Sequence, residues 1–321
     1  MININAIRAS LLLFALIFSG LFAMVYYNFQ RDIQLAHKRI SVGSQIADTP
    51  CGKIEYAVAG NGPPVLVVHG AGGSYEQGMS ASTELVQSGF RVIAMSRFGY
   101  LRTPLPADAS AAAQADAYAC LLDALHIKRA AVVGASAGAP SSMQFALRYP
   151  KRIAALVLLV PATYVPRQNG APLMHTPFGL EFIFTSALHS DFLFWAVPRL
   201  ARATVIEEIL ATPPELVENA SSEERVRIDQ MLEQILPVSP RRLGLLNDVA
   251  VVSSLPRYEL ERIAAPTLIL GVADDLFGTY DCASYSAEHI PRARFIGYPR
   301  GGHMWIGHQK EVMAEIATFL K

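Results

Sequence analysis

Five short apolar runs constrain this chain most: Pro63–Gly70 (PPVLVVHG), Arg91–Met95 (RVIAM), Ala130–Gly134 (AAVVG), Ala155–Val160 (ALVLLV) and Thr267–Leu270 (TLIL). Each stops at a glycine, a proline or a polar turn. Continuous apolar runs of this length read as strands buried on both faces, the habit of a parallel sheet covered by helices. Ile54, Tyr56 and Val58 alternate with polar or small residues and predict one more strand, half buried. Helical spacing fills the gaps. Ala115, Tyr118, Ala119 and Leu122 share a face within 111–125, and Val312, Ile316, Phe319 and Leu320 form a one-sided stripe at the C-terminus. Strand–helix alternation of this kind predicts an α/β fold with right-handed crossovers.

Of 321 residues, 52% are hydrophobic and 17% charged, so there is ample apolar surface to bury and a disordered chain is excluded. Lys and Arg total 27, as do Asp and Glu. Without a basic surplus, nucleic acid is not an expected partner. Cys51, Cys120 and Cys282 lie far apart in sequence. They suggest neither a disulfide framework nor a C-x-x-C metal site, and the expectation is three buried thiols.

The N-terminus stands apart. Ala9–Tyr27 holds no charge in nineteen residues, with Arg8 before it and Arg31, Lys38 and Arg39 after. As a helix it spans roughly 28 Å, close to the hydrocarbon thickness of a bilayer. A cleaved signal peptide wants a shorter run and a small-x-small site, and Leu21 two residues before Ala23 breaks that pattern. The expectation is an uncleaved single-pass membrane anchor over residues 1–35, ahead of a main domain over 40–321. The flanking charges lean that domain toward the cytoplasm without settling the face, because the terminal amine nearly evens the count.

The alternation breaks once, over about 162–255. Phe178, Phe182, Phe184, Phe192, Phe194 and Trp195 crowd this stretch, followed by a charge-rich run from Glu215 to Glu233. It predicts a helical lid inserted between two strands, whose aromatics either face a site or fill the lid's own core.

Chemistry concentrates in three places. Gly134-Ala135-Ser136-Ala137-Gly138 follows one apolar run and precedes a helix. G-x-S-x-G in that setting is a nucleophile elbow, a sharp turn that tolerates only small neighbours and exposes the Ser hydroxyl. The helix N-terminus adds positive potential there. His69-Gly70-Ala71-Gly72-Gly73 ends another run, and the Ala71 and Ala137 amides are placed to form an oxyanion hole. His69 itself is assigned to orienting the loop. Past the run TLIL comes Gly271-Val272-Ala273-Asp274-Asp275, and later Gly301-Gly302-His303. His303 is the expected base and Asp274 its orienting acid, with Asp275 the rival and Asp248 a distant third. His308, His289, His175 and His189 compete with His303 only weakly.

The chain from about Cys51 to Lys321 resembles the α/β-hydrolase family through His69-Gly70-Ala71-Gly72, Gly134–Gly138, Gly271-x-x-Asp274 and Gly302-His303. The resemblance implies a mostly parallel eight-stranded sheet flanked by helices, with the lid inserted after the sixth strand. It also implies Ser136 as nucleophile, Asp274 as acid, His303 as base, and Ala71 and Ala137 as oxyanion donors. Two departures stand out. The D-x-R-G-x-G-type turn of many members reads Ser96-Arg97-Phe98-Gly99-Tyr100, which puts substrate class in question. A Ser nucleophile speaks against the dehalogenase and epoxide-hydrolase branches. The expected reaction is acyl transfer from an ester-type small-molecule substrate to water through an acyl-enzyme, with no metal or organic cofactor, and the apolar lid beside the anchor suggests a hydrophobic ester. C–C bond hydrolysis, acyl transfer to another acceptor and a non-catalytic binding protein stay open as alternatives.

Overall fold

The structure, a computed structural model, describes residues 4–166 and 188–321. Its centre is an eight-stranded sheet in the order β1-β2-β4-β3-β5-β6-β7-β8. The strands are β1 (Gln45–Thr49), β2 (Gly52–Ala59), β3 (Pro64–Val68), β4 (Arg91–Met95), β5 (Ala130–Ala135), β6 (Ile153–Leu159), β7 (Thr267–Val272) and β8 (Ala293–Tyr298). β1 and β2 pair antiparallel, β2 pairs antiparallel with β4, and all other neighbours are parallel. The expected fold class is therefore present.

The apolar runs are continuous because successive residues feed opposite faces, each face having its own core. In β3, Leu66 and Val68 join one cluster while Val65 and Val67 join the other. In β6, Leu156 and Leu158 divide from Ala155, Val157 and Leu159 in the same way. Helices α4 (Ala111–Ala124), α5 (Ala139–Arg148) and α11 (Thr279–His289) cover the first face. Helices α2 (Tyr75–Ala81), α3 (Thr83–Gln87) and α12 (Gln309–Phe319) cover the second. Ser110 starts α4, its hydroxyl accepting the Ala113 amide at 3.2 Å.

Between β6 and β7 the described part of the insertion is helical: α6 (Asp191–Leu200), α7 (Arg202–Glu208), α8 (Pro214–Glu218), α9 (Ser222–Gln234) and α10 (Arg242–Ser253). Phe194 and Trp195 are buried in this lid's own core, and Phe192 packs against it. Phe178, Phe182, Phe184 and His175 lie outside the described residues.

Helix α1 (Ile4–Ser41) runs unbroken for 38 residues, across the boundary expected near residue 35. From Leu11 to Met24 its large apolar side chains are exposed, and it is long and apolar enough to cross a membrane. Its second half is docked. Phe29 meets Phe192 and Trp195 edge-on at 5.1 and 5.7 Å between ring centres. Asp32 accepts hydrogen bonds from the Trp195 indole at 3.0 Å and from Arg199 at 2.9 Å. Arg39 donates to Glu76 at 3.0 Å and to the Leu236 carbonyl at 2.6 Å. Ala36 is buried in the lid core, with Val25 and Phe29 packed against it.

One sequence expectation is overturned. Cys51, in the β1–β2 turn, and Cys120, on α4, form a disulfide with their Cα atoms 6.1 Å apart. Their sequence separation of 69 conceals this proximity, since α4 packs across β1. Cys282 is buried and outside the disulfide.

Candidate active site

The elbow is built by its small residues. Ser136 has φ +48°, a left-handed conformation that a non-glycine residue adopts at a cost of about 1–3 kcal/mol. A Cβ added to Gly134 would lie 2.3 Å from Ser142 Oγ, and one added to Gly138 would lie 2.6 Å from the His69 carbonyl oxygen. Only glycine lets α5 and the β3 loop close on this turn. A short 3₁₀ turn over Ser136–Gly138 then leads into α5.

Ser136 Oγ lies 2.9 Å from His303 Nε2, and His303 Nδ1 lies 2.8 Å from Asp275 Oδ2. His303 and Asp275 are both buried. The Phe277 ring meets the imidazole edge-on at 5.0 Å. Burial alone raises the Asp275 carboxyl. His303, the Thr279 hydroxyl and the Phe277 amide outweigh that and hold it below the usual carboxylate range.

The carboxylate on His303 is thus Asp275, which corrects the expectation of Asp274. Beyond Val272 the chain bends so that the Asp275 amide returns to the Val272 carbonyl at 3.2 Å. Its side chain then accepts from Phe277 and Thr279, and turns inward. Asp274 points the other way, where its Oδ1 accepts the Gly302 amide at 2.7 Å and so ties the acid turn to the histidine turn. The distinguishing signal was Thr279, four residues past Asp275 at the start of α11. His289 meets the Tyr285 carbonyl, and His308 the Arg300 carbonyl and Glu311; neither is the partner of Ser136.

The loop after β3 stands directly over the elbow. A Cβ on Gly70 would lie 3.1 Å from Ser136 Cβ and 3.8 Å from its Oγ. Ala71 and Ala137 line the same cavity as Ser136 and His303. His69 accepts the Arg97 amide at Nε2, 3.0 Å away, which assigns its proton to Nδ1 for donation to the Gly70 carbonyl at 2.7 Å. Burial, helped by the Arg97 charge, holds its pKa well below the usual value, so His69 stays neutral.

The divergent turn after β4 carries residues that sequence reasoning left without a role. Ser96, which stands at the Asp position of the family pattern, donates through Oγ to the buried Glu55 carboxylate of β2 at 2.9 Å. Phe98 is packed in the core and does not restrict the cavity. Arg97 is buried and binds Asp248 through both terminal nitrogens, at 2.6 and 2.7 Å. The Tyr100 hydroxyl donates to the same carboxylate at 2.5 Å. Asp248 therefore belongs to this ion pair and does not reach His303.

The cavity above Ser136 has a volume of about 1630 Å³ and lies between sheet and lid. Its apolar walls include Phe194, Val197, Leu245, Val249, Val252 and Met304. Its charged lining is mostly acidic, with Glu84, Glu208, Glu215, Glu223, Glu224 and Asp248 against Arg227, Arg300 and Lys310. Arg227 is paired with Glu224, and Lys310 with Glu223.

The model of the alpha/beta hydrolase fold family matches residues 63–306. An uncharacterized hydrolase of Bacillus subtilis is 29% identical over 271 residues, covering 80% of this chain and 91% of that protein. A 2-hydroxy-6-oxononadienedioate/2-hydroxy-6-oxononatrienedioate hydrolase of Paraburkholderia xenovorans is 28% identical over 264 residues, 78% of this chain and 84% of its own length. Among solved structures, an alpha/beta hydrolase fold protein from Nakamurella multipartita superposes with a TM-score of 0.65 at 29% identity, covering 86% of this chain and 98% of that one.

Proposed function

The chain belongs to the α/β-hydrolase fold family, and on that premise we propose that it is a serine hydrolase of hydrophobic, ester-type small molecules. The observation that carries this reading is the hydrogen-bonded series Ser136–His303–Asp275 at the floor of an apolar cavity. Ser136 Oγ attacks the carbonyl carbon while His303 Nε2 takes its proton. Asp275 holds the imidazole in the tautomer with its proton on Nδ1 and stabilises the imidazolium that forms. The Ala71 and Ala137 amides receive the oxyanion. His303 returns the proton to the leaving alcohol, then activates the water that releases the acid and restores Ser136. These steps draw only on the chain's own residues.

Labelling with a fluorophosphonate probe tests it. The wild-type protein should label and Ser136→Ala should not; labelling that survives in the variant, or a wild-type protein inert even in detergent, would reject the reading.

C–C bond hydrolysis is the second reading, favoured by the Paraburkholderia relative, whose named substrates are dioates. Two carboxylates require free cations in the cavity, yet two of the three cations lining it are already paired with glutamates. That composition suits an uncharged ester better. Turnover of 2-hydroxy-6-oxononadienedioate exceeding that of p-nitrophenyl butyrate would reverse the preference.

We also infer that α1 anchors the protein in a membrane, through the exposed apolar stretch that ends near Tyr27. The Cys51–Cys120 disulfide favours an oxidising face for the domain, against the lean of the flanking charges. Arg39, one of those charges, is paired with Glu76 of the domain.

A further inference from the structure

Arg97 is the most fully engaged buried side chain near the site, and the reaction described above does not use it. Its guanidinium donates to the His69 carbonyl at 2.9 Å, the Gly70 carbonyl at 3.2 Å, the Ala137 carbonyl at 3.4 Å and both oxygens of Asp248. A buried ion pair is a weak way to stabilise a fold, because desolvation offsets the attraction and well-packed apolar residues do as well. Its contacts therefore ask for another explanation, and they converge on the oxyanion loop.

The relevant contact is the one to Gly70. That carbonyl and the Ala71 N–H are two ends of one peptide group. Three donors meet on the Gly70 oxygen: Arg97, His69 Nδ1 at 2.7 Å and the Gly73 amide at 3.3 Å. Donors at the oxygen draw electron density along the peptide and make its N–H a stronger donor, more so when one carries a full positive charge in a low-dielectric setting. The Ala137 amide has no matching arrangement. Its peptide oxygen, on Ser136, accepts the uncharged amides of Ala139 and Ala162. Arg97 touches the Ala137 carbonyl instead, which belongs to the next peptide along.

We propose that Arg97 is a positioning residue that polarises the Gly70–Ala71 peptide toward the oxyanion, and that Asp248 holds its guanidinium in the plane needed to do so. Asp248 sits on lid helix α10, so the strength of one oxyanion donor depends on the lid being in place. The Tyr100 hydroxyl completes the frame. It donates to Asp248 and accepts the Gly72 amide at 3.1 Å, which fixes the far side of the same loop. The inference rests on the acyl-transfer reading and adds to it a device that acts only when charge develops on the substrate oxygen.

Three variants test it: Arg97→Met, Arg97→Lys and the neutral pair Arg97→Met/Asp248→Asn. For each, kcat and KM with p-nitrophenyl butyrate are compared with the inhibition constant of an alkyl trifluoromethyl ketone. That ketone forms a hemiketal oxyanion on Ser136. The double variant leaves no orphaned charge, so its melting temperature should stay near the wild-type value where that of Arg97→Met falls. It should still lose about tenfold to a hundredfold in kcat, with KM within about twofold, and ketone binding should weaken in the same proportion. Arg97→Lys, which keeps the charge but not the fork, should recover part of the loss. A folded double variant with unchanged kcat, or reduced kcat with unchanged ketone binding, would overturn the proposal while leaving the hydrolase reading intact. A wild-type protein that neither cleaves the ester nor binds the ketone would remove both.

Discussion

Asp274 and Asp275 are adjacent, chemically identical and oppositely employed. Asp275 is buried against His303, Thr279 and the Phe277 amide; Asp274 is part exposed and holds the Gly302 backbone. Their amides should therefore differ sharply in effect. Asp275→Asn, which offers His303 the wrong tautomer, should lower kcat by about three to four orders of magnitude. Asp274→Asn keeps an acceptor for the Gly302 amide and should cost less than about tenfold. Steady-state ester hydrolysis by the two variants decides between them, and a larger loss in Asp274→Asn would return the acid to that position. The sequence points to the turn that meets His303 but not to which of its two carboxylates does so, since that depends on which way the chain bends after Val272. Ser136 and His303, 2.9 Å apart in the structure, stand out in the sequence because small-residue turns and glycine pairs mark them. Arg97 does not, because its role comes from carbonyls contributed by distant segments.

At the scale of elements, the five central strands were legible because both faces of each are buried, which leaves an unbroken apolar run. β1 and β8 are edge strands with alternating or partial exposure, and their sequences carry too little of that pattern. The lid shows the converse. Its helices were foreseen in outline, but not that α1 completes their core. Helix α6 is held between two surfaces: Phe192, Trp195 and Arg199 face α1, while Phe194, Val197 and Pro198 line the cavity. Two truncations should consequently behave differently. Removing residues 1–24 leaves Phe29, Asp32 and Ile33 in place and should preserve both the melting temperature and ester hydrolysis. Removing residues 1–35 strips the half-buried Val25 and Phe29 and the buried Ile33 from the domain, and burying a side chain such as Ile33 contributes about 1.5–3 kcal/mol. Its melting temperature should fall, and activity should fall with it as α6 loosens. Thermal melts of the two forms in the same detergent check this, and equal melts would mean that α1 lends the lid nothing.

At the scale of the whole molecule, two long-range ties shape the domain. The Cys51–Cys120 disulfide closes a loop of 69 residues around β2, β3, β4 and the start of α4. A closure of that size stabilises a fold by about 2–5 kcal/mol. Replacing both cysteines by serine should lower the denaturation midpoint accordingly, and the native protein from cells should resist maleimide modification at both sites until it is reduced. Ready modification without reductant would place the domain in a reducing compartment. Spacing along the chain could not announce this pairing, since it depends on α4 lying across β1. The other tie is α1, whose contacts with the lid begin at Val25, before the apolar stretch has ended at Tyr27. If α1 spans a membrane as proposed, no slack separates span from domain, and the hydrolase would sit at a fixed height and tilt instead of swinging on a tether. Its encounters with lipid-soluble molecules would then take place in two dimensions. For a protein mounted this way, the amount of substrate per unit area of leaflet, not its molarity in the surrounding water, sets how often the cavity is filled.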